Sequence, residues 1–194
     1  MTPVRTLCVY CGSRVGRRDS HADTARALGQ RMAGEGISLV FGGGRMGIMG
    51  ILAGAVLAAG GRVTGIIPDH LQQTEPEHEG LTELIVVDSM HTRKRKMFER
   101  ADGFIILPGG LGTLDETFEI ITWKQLGLHA KPIVIADFDG YWSPLLELLE
   151  HLIDEEFAGR QIRELYSVAR DVDDIFRLLA EAPVPGIAPQ PDRI

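Results

Sequence analysis

The sequence is poor in the residue patterns that most often announce a chemistry. It has four lysines, Lys94, Lys96, Lys124 and Lys131, and none stands in a context specific for pyridoxal phosphate. It has no H-E-x-x-H, no Gly-Lys-Ser/Thr after a glycine loop and no convincing Ser-His-Asp set, so the signatures of a zinc protease and a P-loop nucleotidase are absent and nothing points to a serine hydrolase. No stretch approaches 18 consecutive apolar residues, so no membrane partner is expected. Basic charge is in deficit: 20 Lys and Arg stand against 27 Asp and Glu, a formal charge of -7. Gripping nucleic acid requires a basic face, so no nucleic-acid partner is expected. Residues 1–6 lead into one short apolar run and lack a small-residue cleavage pattern, so a cytoplasmic location is expected.

Cysteine is scarce too. Cys8 and Cys11 are the only two and form a C-x-x-C, a spacing that can mark a redox pair. Residues 6–10 read as a strand, where positions three apart point to opposite faces, and Gly12 and Ser13 follow instead of a helix. The pattern therefore reads as a buried Cys8 within a strand and Cys11 at its end.

Glycine is what the chain has in excess. It contains 23, where average usage would give about 14. There is no G-X-Y period and only 10 prolines, so collagen is excluded, and 44% apolar residues argue against general disorder. Short β-rich runs at 5–10, 37–41, 62–67, 83–87, 103–107 and 132–136 alternate with helical patterns at 20–34, 47–59, 89–100, 113–127, 143–157 and 172–181. Several runs are apolar on nearly every residue, as in parallel strands covered on both faces. The expected fold is α/β: a doubly wound, mostly parallel, Rossmann-like sheet with helices on both faces. One domain over residues 1–182 is expected, with a Pro-rich, disordered tail over 183–194. Ligands in such sheets bind beyond the carboxyl ends of the strands, and the excess glycines cluster in those loops.

The first loop, G-G-G-R-M-G-I-M-G at 42–50, contains G-x-G-x-x-G between a strand and a helix, the pattern of a dinucleotide site. It follows the second strand rather than the first, and the only acidic candidate for a ribose contact is Asp69, late in the sequence. The glycines, including Gly43 and Gly44, admit either close approach of a ligand or a tight turn against a neighbouring loop. The second loop, L-P-G-G-L-G-T-L-D-E at 107–116, opens a helix. Free N–H groups and the positive end of the helix dipole make it an anion site suited to phosphate. Thr113-x-x-Glu116 also reads as a capping box. Glu116 thus has two readings, a cap, or a carboxylate placed beside a phosphate to stabilise a cationic sugar or position a water.

The helix at 89–100 reverses the local charge, with five Lys or Arg against one Glu. Met90, Met97 and Ala101 fall on one stripe with Arg93 and Lys94 beside it, so at least one of these cations can border a cleft. Arg95 and Lys96 read as a solvated basic face. The acidic loop Glu75-Pro76-Glu77-His78-Glu79 matches no zinc or calcium spacing, and no metal is expected.

Together, Pro108-Gly109-Gly110-Leu111-Gly112-Thr113-Leu114-Asp115-Glu116, Met90-His91-Thr92-Arg93-Lys94, the loop at 42–50 and Ile121-Thr122-Trp123-Lys124-Gln125-Leu126-Gly127 resemble the Lonely Guy (LOG) family. These are nucleoside 5′-monophosphate phosphoribohydrolases, formerly labelled lysine decarboxylase-like, and the likeness runs over about residues 4–168. The resemblance implies hydrolysis of the N-glycosidic bond of AMP or an N6-modified AMP, such as a cytokinin riboside monophosphate, to a free base and ribose 5-phosphate. It implies Arg93 and Glu116 as catalytic residues and Gly110, Gly112 and Thr113 as the phosphate loop. Glu75, Lys94 and Thr122 match further ligand contacts, and Met90, Leu111, Leu114, Asp115, Gly43 and Gly44 complete the candidate substrate-binding set. Leu111 stands where the family is often aromatic and Asp115 where Glu is frequent, departures that bear on base preference. No cofactor is implied, and a homodimer is, with the apolar flanks of residues 120–128 as its candidate surface. Two other readings remain at this stage. One is a non-catalytic carrier of a nucleotide-like cofactor, as in molybdenum-cofactor carriers, which needs the glycine loops but not Arg93 and Glu116. The other is an NAD(P)-dependent oxidoreductase, suggested by the first glycine loop.

Overall fold

Strands apolar on both faces require a layer of helices on each side. The computed structural model describes residues 4–72 and 78–182 and has that architecture. In chain order the elements are β1 (Thr6–Tyr10), α1 (Ser20–Gly34), β2 (Ser38–Phe41), α2 (Gly47–Ala58), β3 (Val63–Pro68), the single turn α3 (Asp69–Gln72) and β4 (Glu83–Val87). There follow α4 (Met90–Arg100), β5 (Gly103–Ile106), α5 (Leu111–Gln125), β6 (Ile133–Ala136), α6 (Ser143–Asp154), β7 (Ser167–Ala169) and α7 (Val172–Glu181). The seven strands form one sheet in the order β4-β3-β2-β1-β5-β6-β7, and every neighbouring pair is parallel.

The period of two along β1 divides the core. Leu7 and Val9 face one layer, packed with Leu28 and Met32 of α1, Leu52 and Val56 of α2, and Ile175 of α7. Cys8 and Tyr10 face the other, with Met97 and Phe98 of α4, Ile120 of α5 and Leu149 of α6. The chain winds outward in both directions from β1 and β5, which are neighbours in the sheet but come from different halves of the sequence. The helices that follow these two strands, α1 and α5, pack on opposite faces of the sheet, so a crevice opens at the strands' carboxyl ends.

Most element bounds fall within one residue of the sequence reading, and three larger differences stand out. The expected six strands are joined by a seventh, β7, whose three residues are too short for a readable alternation. Helix α5 begins at Leu111, because Gly112 sits inside the first turn rather than in the loop. Helix α6 ends at Asp154, where Glu156 takes a positive φ of 62° and turns the chain away. Glu75 and residues 183–194 lie outside the described residues. Among the described residues no helix is long and apolar enough to cross a membrane.

Candidate active site

The crevice at the carboxyl ends of β1, β2 and β5 holds a cleft of about 210 Å³. Its walls come from the loop after β1 (Cys11, Gly12, Ser13), from Gly42 after β2, from one face of α4 (Met90, Arg93, Met97), and from the start of α5 (residues 110–113, Asp115, Glu116). The β1 and β5 loops are tied together across its floor, where the Gly12 amide donates to the Pro108 carbonyl at 3.0 Å.

Helix α5 presents its N-terminus to this cleft. Gly110 is the N-cap residue and no side chain caps the helix, so the first-turn amides have no intrahelical acceptor. The expected capping box therefore does not form. Thr113 is the third helical residue instead of the cap, and its Oγ1 packs so close to Gly109 that a Cβ there would stand 2.1 Å away. Glu116 consequently lies in the second turn, not the first, free of any capping duty. A Cβ at Gly110 or Gly112 would meet no described atom within 4 Å, and neither residue has a positive φ. Packing and backbone thus leave these two glycines unexplained, whereas an anion approaching the amides requires the clearance they provide.

Helix α4 carries the cationic side. Ser89 caps it by accepting from the Thr92 amide at 3.2 Å, which fixes the first turn in which Arg93 lies. Arg93 is only 7% exposed. Its Nη2 donates to the Gly42 carbonyl at 3.0 Å and its Nη1 to the Met90 thioether at 3.7 Å, while Nε is buried without a partner. Among the described residues no carboxylate lies within 4.0 Å of the guanidinium, so its charge is not cancelled by an ion pair.

Glu116 is half-buried. Burial pushes its carboxyl up to about 7, Arg93 pulls partly in the opposite direction, and the neighbouring Asp115 adds to the rise. A carboxyl titrating near neutrality can exchange a proton with a reacting group at physiological pH. Lys94 turns away from the cleft, and its Nζ bridges Asp115 at 3.1 Å and Glu119 at 3.0 Å. Burial opposes that charge, but the two carboxylates outweigh it and hold the ammonium above its ordinary value. Lys94 is thereby a strut between α4 and α5.

Of the candidate residues, the structure brings Met90, Arg93, Gly110, Leu111, Gly112, Thr113, Asp115 and Glu116 together. Leu114 packs into the core beneath α5. Gly43 and Gly44 are buried beside the cleft without lining it, and Thr122 is exposed roughly three turns farther along α5. Ile120 and Ile121, expected on an apolar flank, are in the core, and Leu126 is the exposed apolar residue of that stretch. Arg95 is exposed and pairs with Glu99, as a solvated basic face should. Ser13, Met49 and Met97 join the cleft although none was a candidate site residue; Met49 lies in the glycine-rich segment at 42–50 and Met97 on the apolar stripe of α4, and for Ser13 the available signal was its place just after the first strand. Cys8 and Cys11 are both buried and free, and burial, with Glu116 adding, drives both thiols well above their ordinary range. Among the described residues no group of three or more His, Cys, Asp or Glu could hold a metal ion.

Residues 49–179 match a protein-family model described as "Possible lysine decarboxylase". The chain is 43% identical over 170 residues to the cytokinin riboside 5′-monophosphate phosphoribohydrolase of Rhodococcoides fascians, covering 87% of this chain and 86% of that protein. It is 40% identical over 177 residues to the enzyme LOG2 of the same name from Arabidopsis thaliana, covering 91% and 83%. Among solved structures it resembles the molybdenum cofactor carrier protein of Chlamydomonas reinhardtii, with a TM-score of 0.70 at 21% identity over 92% of this chain and all of that one. The molybdenum cofactor binding protein of Rippkaea orientalis also gives a TM-score of 0.70, at 20% identity over 93% and 98%. At that identity the likeness to the two cofactor-binding proteins is one of fold.

Proposed function

The chain belongs to the LOG family of cytokinin riboside 5′-monophosphate phosphoribohydrolases, and from that premise we propose that it hydrolyses the N-glycosidic bond of AMP or an N6-substituted AMP. The observation that carries this reading is the convergence, in one cleft, of an uncapped helix N-terminus, an unneutralised Arg93 and a carboxyl on Glu116 held at about 7. The 5′-phosphate docks on the amides of residues 110–113 and anchors the nucleotide away from the bond to be broken. Its binding energy then orients the sugar.

As the bond between C1′ and the base nitrogen breaks, its electron pair leaves with the base and positive charge develops on the ribose ring, as in other glycoside cleavages. The Glu116 carboxylate stabilises that charge and accepts a proton from the water that bonds to C1′. Arg93 balances negative charge on the departing base or the phosphate. The products are a free base and ribose 5-phosphate, the proton ending on the base, and the residues named here supply the chemistry without a cofactor. We place the active form as a homodimer in the cytoplasm.

The carrier reading needs the glycine loops but gives no work to Arg93 and Glu116. The NAD(P) reading needs a fingerprint at the switch between β1 and β5, whereas the G-x-G-x-x-G loop follows β2. A product assay decides among the three. With AMP, isopentenyl-AMP, GMP and CMP as substrates, release of free base from the adenine nucleotides supports the proposal, and intact nucleotide throughout overturns it.

A further inference from the structure

Two glycines in the first turn of α2, just after the loop that leaves β2, pack against other backbone. Gly47 has a φ of +63°, and a Cβ there would stand 2.2 Å from the Ser13 carbonyl carbon; at Gly50 it would stand 1.8 Å from the Arg45 carbonyl oxygen. Those glycines serve chain packing. Gly42 differs. Its φ lies outside the left-handed region, so its backbone admits any residue. What its place in the fold does not admit is a Cβ, which would fall 1.9 Å from Arg93 Nη2, with Arg93 Cζ next at 3.1 Å and Met49 Sδ at 3.4 Å.

Resting on the role given to Arg93 above, we infer that Gly42 is a positioning residue for the glycosidic cleavage: its missing side chain forms the seat, and its carbonyl the anchor, of the Arg93 guanidinium. The seat is built from neutral acceptors, the Gly42 carbonyl and the Met90 thioether. A carboxylate in their place would hold the arginine more firmly but neutralise the charge that the nucleotide must feel. Here the group is buried and held at both terminal nitrogens, and among the described residues no carboxylate pairs with it. A methyl group at position 42 collides with the far end of a flexible side chain, not with backbone. The fold can therefore absorb the substitution by moving Arg93, and the penalty falls on catalysis.

The test is a double-mutant cycle between Gly42→Ala and Arg93→Ala. Gly42→Ala is expected to lower kcat/KM by about 10- to 100-fold, the scale of an ångström-sized misplacement at a reacting centre, with melting within about 3 °C of wild type. In the Arg93→Ala background the same substitution is expected to change kcat/KM less than about twofold, because nothing is left to displace. Equal losses in both backgrounds, or wild-type activity in Gly42→Ala, overturn the inference. Should Gly42→Ala fail to fold, the double variant must recover stability, since the colliding group is gone; if it does not, the inference falls. A readout independent of activity is the side-chain NMR of Arg93, identified by its loss in Arg93→Ala. Slowly exchanging guanidinium signals in the wild type that shift or vanish in Gly42→Ala support the seat even if no nucleotide is cleaved, an outcome that would remove the functional reading alone. Unchanged signals remove the seat.

Discussion

Arg93 and Glu116 line one cleft and do not pair: no guanidinium nitrogen comes within 4.0 Å of the Glu116 carboxylate. A direct ion pair would neutralise both groups and pull the carboxyl down into the ordinary range. With the two held apart, burial dominates and the Glu116 carboxyl stays near 7, while Arg93 only moderates the rise. The separation also leaves the cleft between them open to a sugar.

The pH dependence of turnover follows. In the proposed cleavage Glu116 acts as a carboxylate, so kcat/KM for AMP should rise with pH through about 7, where this carboxyl loses its proton. The limb should be absent in Glu116→Gln. A rate profile between pH 5 and 9 checks this, and a limb near 4.5 would mean that the carboxyl is not desolvated as described.

Stability should move in the opposite sense. Between the ordinary carboxylate value of 4.5 and about 7 the folded protein holds a proton on Glu116 that the unfolded chain releases. This group therefore makes stability fall as pH rises through that window, with the full penalty above 7. Glu116→Gln removes it. The variant should be more stable than wild type at pH 8 by about 1–3 kcal/mol, with the difference fading toward pH 4.5. Thermal melts at the two pH values measure it.

Gly112→Ala separates a ligand's needs from the fold's. Gly112 is the second residue of α5, and a Cβ there meets no described atom. Alanine should leave stability unchanged or raise it by up to about 0.5 kcal/mol through helix propensity. On the proposed docking the methyl group meets the phosphate, so KM for AMP should rise by about tenfold or more, on the scale of a lost charge-assisted hydrogen bond. Steady-state kinetics and a melt on one preparation give both numbers.

Lys94→Met tests the strut. The substitution keeps the buried stem but leaves Asp115 and Glu119 without the ammonium they share. Because Asp115 is largely exposed, the loss of stability should be modest, about 1–2 kcal/mol. Lys94 also lowers the Glu116 carboxyl while Asp115 and Glu119 raise it, so the acid limb of kcat/KM should shift to higher pH. If KM rises and the limb stays in place, Lys94 touches substrate instead.

Much of this arrangement was legible in the residues. The bounds of α1, β4 and α7 follow from pattern alone, and the glycine loop that opens α5 and the cationic helix announce themselves by composition. What was not legible is non-local. Thr113 and Glu116 have the spacing of a capping box, but the helix starts two residues earlier and Gly110 takes the cap. The G-x-G-x-x-G loop has the spacing of a dinucleotide site. Its first glycine instead makes room for an arginine 51 residues away, a relation that no local spacing records. Likewise Lys94 and Arg93 are adjacent in sequence, and only the packing of α4 against α5 shows that, among the described residues, one pairs with two carboxylates and the other with none.

Whether Glu116 turns a nucleotide cleft into a glycosidase is decided by a time course of isopentenyl-AMP with the wild type and Glu116→Gln side by side, both products being quantified. Free base and ribose 5-phosphate are expected in equal amounts from the wild type, with a rate lower by about 100-fold or more in the variant. Base release at the wild-type rate by Glu116→Gln, or a wild type that binds the nucleotide and returns it intact, would contradict that role for Glu116.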